Sequence, residues 1–130
     1  MAALDALLLC DSAARDEQTG KWTITGVFDA VWAPKFPAVH PSLDVYFRLR
    51  TEGAPPVELR FRDRSGTARV LATVTVTATT RSVIEAAVRV ADLALAEPGE
   101  YRFELWVDGA AAGETALTAA ELPAASSLLH

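Results

Sequence analysis

Residues 97–109, Glu97-Pro98-Gly99-Glu100-Tyr101-Arg102-Phe103-Glu104-Leu105-Trp106-Val107-Asp108-Gly109, decide the fold class. A Pro-Gly turn leads into alternation of Tyr101, Phe103, Leu105 and Val107 with Arg102, Glu104, Trp106 and Asp108. Period two places one set on each face of a pleated strand, so the first set is a core row and the second a solvent row. Asp108-Gly109 is the dipeptide that closes tight hairpins, because both positions tolerate positive φ. The stretch therefore reads as a half-buried strand entering a hairpin.

The same period recurs to either side. Residues 43–50 set Leu43, Val45, Phe47 and Leu49 against Asp44, Tyr46, Arg48 and Arg50. Residues 57–62 place Val57, Leu59 and Phe61 inward, and residues 68–77 do the same with Val70, Ala72, Val74 and Val76. Residues 82–91 put Ile84, Ala86, Val88 and Val90 on one face; Leu93 and Leu95 lead into the opening stretch, and residues 112–118 complete the last hairpin. Residues 21–29 (KWTITGVFD) carry the β-branched and aromatic residues that suit strands. The alanine content of residues 82–91 would also suit a helix, but their even alternation favours a strand, and the expected fold is all-β: an antiparallel immunoglobulin-like β-sandwich of about eight strands. Residues 30–41 (AVWAPKFPAVHP) hold three prolines and are expected to form an extended, tethered connection, not a central strand. Tyr101, just after its turn, fits either a tyrosine corner or a plain core position.

With 130 residues, one domain is expected at 1–121, followed by a frayed Ala/Ser-rich tail at 122–130. A chain of this length buries roughly two-thirds of its unfolded surface without staples. Residues 1–10 (MAALDALLLC) look like a short signal segment, but there is no basic start, Asp5 interrupts the run and Leu9 fills the small-residue position. A buried first strand and a cytoplasmic protein are the reading, and the run is too short to span a bilayer. The single cysteine, Cys10, cannot close an internal disulfide and sits in an apolar strand that favours an inert thiol. A net charge of −5 opposes general binding to nucleic acid or anionic membrane.

Histidine supply limits catalysis. Only His40 and His130 occur, too few for a metal-bearing barrel. His40 lies in the apolar connection, which points to a backbone hydrogen bond at a loop corner more than to a base. No phosphate-cradling glycine loop or calcium loop is present. The reading is therefore no enzyme, with no catalytic residue, no cofactor and no metal. Two features point to binding. Arg48, Arg50, Arg60 and Arg62 fall on the polar faces of consecutive strands, and Glu58, Glu85 and Glu104 are at hand to pair with them, as an acidic partner also would. Tyr46 and Trp106 share the polar phase, and Trp32 and Phe36 lie in the connection. Tryptophan beside arginine is the composition of interface hot spots. Trp106 is either exposed or covered by the connection. The expected role is an interaction or accessory module, with a protein partner or self-association. The alternative is a small-ligand or carbohydrate-binding sandwich that uses its tryptophans.

Leu9-Cys10-Asp11, Gly20-Lys21, Gly26-Val27-Phe28-Asp29, the run Pro34-Lys35-Phe36-Pro37-Ala38-Val39-His40-Pro41 and Pro98-Gly99-Glu100-Tyr101 come in an order that resembles a family of small bacterial proteins known only as a domain of unknown function. The resemblance spans nearly the whole chain and is most specific over residues 20–41. It implies a bacterial, single-domain, cytosolic β-sandwich and brings no site residues with it.

Overall fold

The computed structural model describes residues 2–75 and 83–123. Among these residues nine strands form two facing sheets, where the sequence predicts about eight: β1 (Ala3–Arg15), β2 (Trp22–Val27), β3 (Ala30–Ala33), β4 (Ala38–Arg50), β5 (Val57–Arg62), β6 (Ala68–Val74), β7 (Val83–Leu95), β8 (Gly99–Val107) and β9 (Ala110–Glu121). The four-stranded sheet runs β2-β1-β4-β7 and is antiparallel throughout. The five-stranded sheet runs β3-β9-β8-β5-β6, antiparallel except for the parallel β3–β9 pair.

The core lies between the sheets, where alternation placed it. Leu43, Val45, Phe47 and Leu49 of β4 face Val57, Leu59 and Phe61 of β5 and Tyr101, Phe103, Leu105 and Val107 of β8. Phe47 and Phe103 are wholly buried, and Phe61 packs 5.0 Å from Phe103 and stacks 5.5 Å from Tyr101. The hairpin between β8 and β9 turns on Asp108 and Gly109, with φ of 51° and 79°. Positive φ at both central positions matches the right-handed twist of the flanking strands.

Three departures from simple alternation matter. The connection at 30–41 is mostly strand: Ala30–Ala33 add an edge to β9, and β4 begins at Ala38 and runs through Pro41. Proline is tolerated there because pairing between β1 and β4 stops at Asp44, leaving the first residues of β4 with a free side. In the β4–β7 ladder Pro41 lies between the pairs His40–Leu93 and Ser42–Ala91, opposite Asp92, whose φ is 52°. Both strands change phase at this crease. Leu93 and Leu95 turn inward after Val90, and His40, paired with Leu93, shares their face. The predicted loop-corner hydrogen bond of His40 is not formed: its Nε2 is buried without a partner among the described residues, and its ring lies 5.7 Å from Phe28. Third, a bulge between β5 and β6 makes Leu59 pair with Ala72 but Arg60 with Val70. Val70, expected inside, is therefore half exposed on the outer face, and Arg69 takes its place on the inner face above Phe61.

Val76, Thr77 and Ser82 of the predicted strands, and all of the predicted tail after Pro123, lie outside the described residues. Leu122 is still tied to β3 through its N–H, 2.8 Å from the Ala33 carbonyl.

Tyr101 forms a tyrosine corner. Its hydroxyl donates to the Glu97 carbonyl at 2.6 Å and accepts from the Glu97 N–H at 3.2 Å, pinning the turn before β8. Two hydrogen bonds made by a buried phenol are expected to be worth about 1–3 kcal/mol together. Tyr101→Phe should lower the unfolding free energy by that amount in urea titration. An unchanged midpoint would mean that the turn holds without them.

Candidate functional site

The eight aromatic and arginine residues singled out from the sequence do not form one surface. Arg48 and Arg50 lie on β4 and Arg60 and Arg62 on β5, strands that follow one another in the chain but belong to opposite sheets. The predicted arginine stripe is therefore split between the two outer faces. Trp32 and Phe36 lie at a third place, on and just beyond the β3 edge. Trp32 is 61% exposed, and Phe36 is half-buried against the core.

On the outer face of the four-stranded sheet, Tyr46 is only 5% exposed. The edge of Trp22 covers it at 5.3 Å, and its hydroxyl donates to Glu85. Arg48 bridges Glu85 at 3.2 Å and Asp5 at 3.6 Å, and Arg50 holds Asp5 at 3.0 Å. Beside them Asp44, 4% exposed, accepts from Arg89 and from the Ala13 N–H at 2.8 Å. The Cys10 thiol, fully buried, donates to the Asp44 carbonyl at 3.4 Å. Burial, and then the charge of Asp44, push this thiol above its ordinary pKa, opposite to what nucleophilic chemistry needs.

The outer face of the five-stranded sheet is better organised. Register places Glu58 opposite Trp106, Arg60 opposite Glu104 and Arg62 opposite Arg102. The Arg60 guanidinium lies 4.0 Å over the Trp106 ring and bonds Glu58 at 2.7 Å. Trp106 donates its Nε1–H to Glu104 at 3.1 Å. Arg62 forks onto both oxygens of the Glu104 carboxylate, at 2.7 and 3.1 Å, and also reaches the Gly66 carbonyl. Arg102, facing Arg62, is neutralised by Glu114 at 2.6 Å. Trp106 is thus neither bare nor beneath the connection at 30–41: it is half-buried, with Arg60 across one ring face. Glu58, Glu85 and Glu104 each partner an arginine, and Asp5, Asp44 and Glu114 do so as well. Parity showed the first three on the polar faces, but the covering role of Trp22 and the Asp5 bridge left no local signal, since both depend on which strands are neighbours.

Chemically, these faces are sets of closed ion pairs. Among the described residues no group of three or more His, Cys, Asp or Glu side chains is placed to hold a metal ion. Among the same residues no helix is long and apolar enough to cross a membrane.

Two titrations probe the faces. The Arg62 hydrogen bond holds Glu104 below its ordinary pKa despite burial, with Trp106 adding to the effect. For Asp44, burial works upward, but the Arg89 and Ala13 hydrogen bonds outweigh it and the net direction is down. Both carboxylates ionise more readily folded than unfolded. Their stabilisation is complete above the ordinary carboxylate range and drains away as pH falls through their lower folded values. Glu104→Gln and Asp44→Asn should each flatten the acid limb of a urea stability profile below about pH 4; limbs as steep as in the parent would refute the pairing. Tyr46 is pushed up to about 12, chiefly by burial and then by its bond to Glu85. Its contribution is full below the ordinary phenol range and is lost as pH rises through that value. Tyr46→Phe should remove the phenolate component near that value from an ultraviolet alkaline titration, and an unchanged curve would contradict the buried contact.

Comparison with known proteins gives fold and family. The fold is similar to part of the alkylpurine DNA glycosylase AlkC of Pseudomonas fluorescens, solved bound to DNA containing an abasic site analog: TM-score 0.56 and 11% identity over 92% of this chain. The chain spans 30% of that glycosylase. A second similar structure is an immunoglobulin-like protein from Pseudomonas aeruginosa, with TM-score 0.45 and 11% identity over 92% of this chain and 96% of that one. No curated protein sequence matches the chain. Two packed sheets of mainly antiparallel strands with a tyrosine corner make this an immunoglobulin-like sandwich. Residues 5–120 match the profile described as Family of unknown function (DUF6941), and the chain belongs to that family.

Proposed function

We propose that the protein is a non-enzymatic interaction module, bacterial and cytoplasmic, whose contact surface is the outer face of the five-stranded sheet around Trp106. The observation that carries this reading is the fixed position of that indole. Arg60 stacks on it at 4.0 Å and Glu104 holds its N–H at 3.1 Å, so a large amphipathic ring is offered with little conformational entropy left to lose. Around it Glu58, Arg62, Arg102 and Glu114 alternate in sign, which suits a polypeptide surface of mixed charge or a second copy of this chain. Among the described residues, the ion pairs leave no unengaged acid or base beside the ring, which supports a binding role over catalysis.

The carbohydrate alternative is less well supported at this site, because a guanidinium already occupies a face of the Trp106 ring. It fits Trp32 better, 61% exposed on its edge strand but away from the arginines. Binding to DNA, as in the glycosylase complex, draws no support from a chain with net charge −5 in which Arg60, Arg62 and Arg102 are paired with carboxylates.

Affinity capture from cells of the native host, run in parallel with the parent chain, Trp106→Ala and Arg60→Ala, tests the proposal. A partner, or self-association seen by light scattering, should weaken by about tenfold or more in Trp106→Ala, as expected of a central interface aromatic. Complexes that survive both substitutions would overturn the assignment of this face.

A further inference from the structure

At one end of the sandwich the sheets part into a recess of about 470 Å³. Phe61, Tyr101 and Leu95 form its floor, and Pro37, Ala38 and Val39 form one wall. The volume is in the range of small-molecule sites, and the lining is mainly apolar. Its polar groups are almost all spent. The Tyr101 hydroxyl is tied to the Glu97 backbone. Asp63 accepts from the Ser65 N–H and hydroxyl and from the Thr67 N–H. Arg64 lies across Gly99, where a Cβ would collide with it, and is paired with Glu97 at 3.0 Å.

Arg69 is the exception. The β5–β6 bulge sets it opposite Phe61, on the inner face of an edge strand, with its guanidinium 5.7 Å from the Phe61 ring centre. Among the described residues it has no carboxylate partner. An arginine facing the interior from an edge strand also guards that edge against other chains; here it stands over an apolar hollow as well. We propose that this recess binds a small apolar monocarboxylate, aliphatic or aromatic, with its hydrocarbon body on Phe61, Leu95 and Ala38 and its carboxylate on Arg69. A guanidinium fork matches a carboxylate in geometry and charge. The nearby carboxylates of Asp63 and Glu97 disfavour a dianion such as a phosphate monoester. This site lies apart from the Trp106 face and does not depend on it.

Octanoate and phenylbutyrate, titrated calorimetrically into the full chain near neutral pH, test the site, with octanamide as the uncharged control. At least one acid should bind saturably with one site per chain, and octanamide should bind about tenfold more weakly or worse than octanoate. Arg69→Gln, at an exposed position where folding is expected to survive, should cost a similar factor. Ala38→Glu, which keeps Arg69 but adds a carboxylate beside Leu95, should weaken binding as well. Trp106→Ala should leave the titration unchanged, which separates failure here from failure of the interaction face. Absence of binding by both acids, equal affinity for octanamide, or full affinity in Arg69→Gln would overturn the proposal.

Discussion

The row Leu43, Val45, Phe47 and Leu49 holds the molecule together. It belongs to β4, which is flanked by β1 and β7, and it presses on the facing rows of β5 and β8. Each fully buried side chain of this size is worth about 1.5–3 kcal/mol relative to exposure. The row acts twice: it binds the two sheets to each other, and it fixes the register of its own sheet. A slip of one residue would turn Phe47 to water and Tyr46 and Arg48 into the core. Everything on the outer faces inherits its position from that constraint, including the Tyr46–Glu85 contact and the Asp5 bridge.

Where a strand has one wet face, period two exposes its orientation in the sequence. β4, β5 and β8 were legible for that reason, and the hairpin at Asp108-Gly109 was legible from its turn chemistry. Sheet membership was not. β4 and β5 are consecutive and similarly patterned, yet they belong to opposite sheets, because a short connection can cross the sandwich as easily as it can make a hairpin. The phase changes at Pro41 and Asp92 and at the β5–β6 bulge were hidden too. They arise from backbone geometry matched between neighbouring strands, and only the ladder reveals which strands are neighbours. Arg69 and Val70 exchange faces through that bulge, so an arginine comes to overlook an apolar recess that parity had closed with a valine.

The ion pairs of the outer faces are specificity devices more than sources of stability. Exposed pairs such as Arg102–Glu114 and Arg64–Glu97 contribute little individually in water. Glu104 and Asp44 differ, because their carboxylates are largely removed from solvent and each depends on its arginine. Arg62 and Arg102 sit directly opposite one another, an unfavourable pairing made tolerable by Glu104 and Glu114. The same carboxylates that permit this arrangement also steady the Trp106 indole, so the charge pattern and the shape of the proposed contact surface have one origin.

The crease at Asp92 bears on how these molecules behave when crowded. β7 is a 13-residue strand at the border of its sheet, paired among the described residues with β4 alone. A straight border of that length, rich in alanine and valine, would be a ready template for fibrillar stacking. The left-handed residue bends it near its end, and Glu85, Arg89 and Asp92 place charge along it. Glu85 and Arg89 place charge within the regular run at residues 83–91 that precedes the bend. The kink that turns Leu93 and Leu95 into the core thus also discourages aggregation.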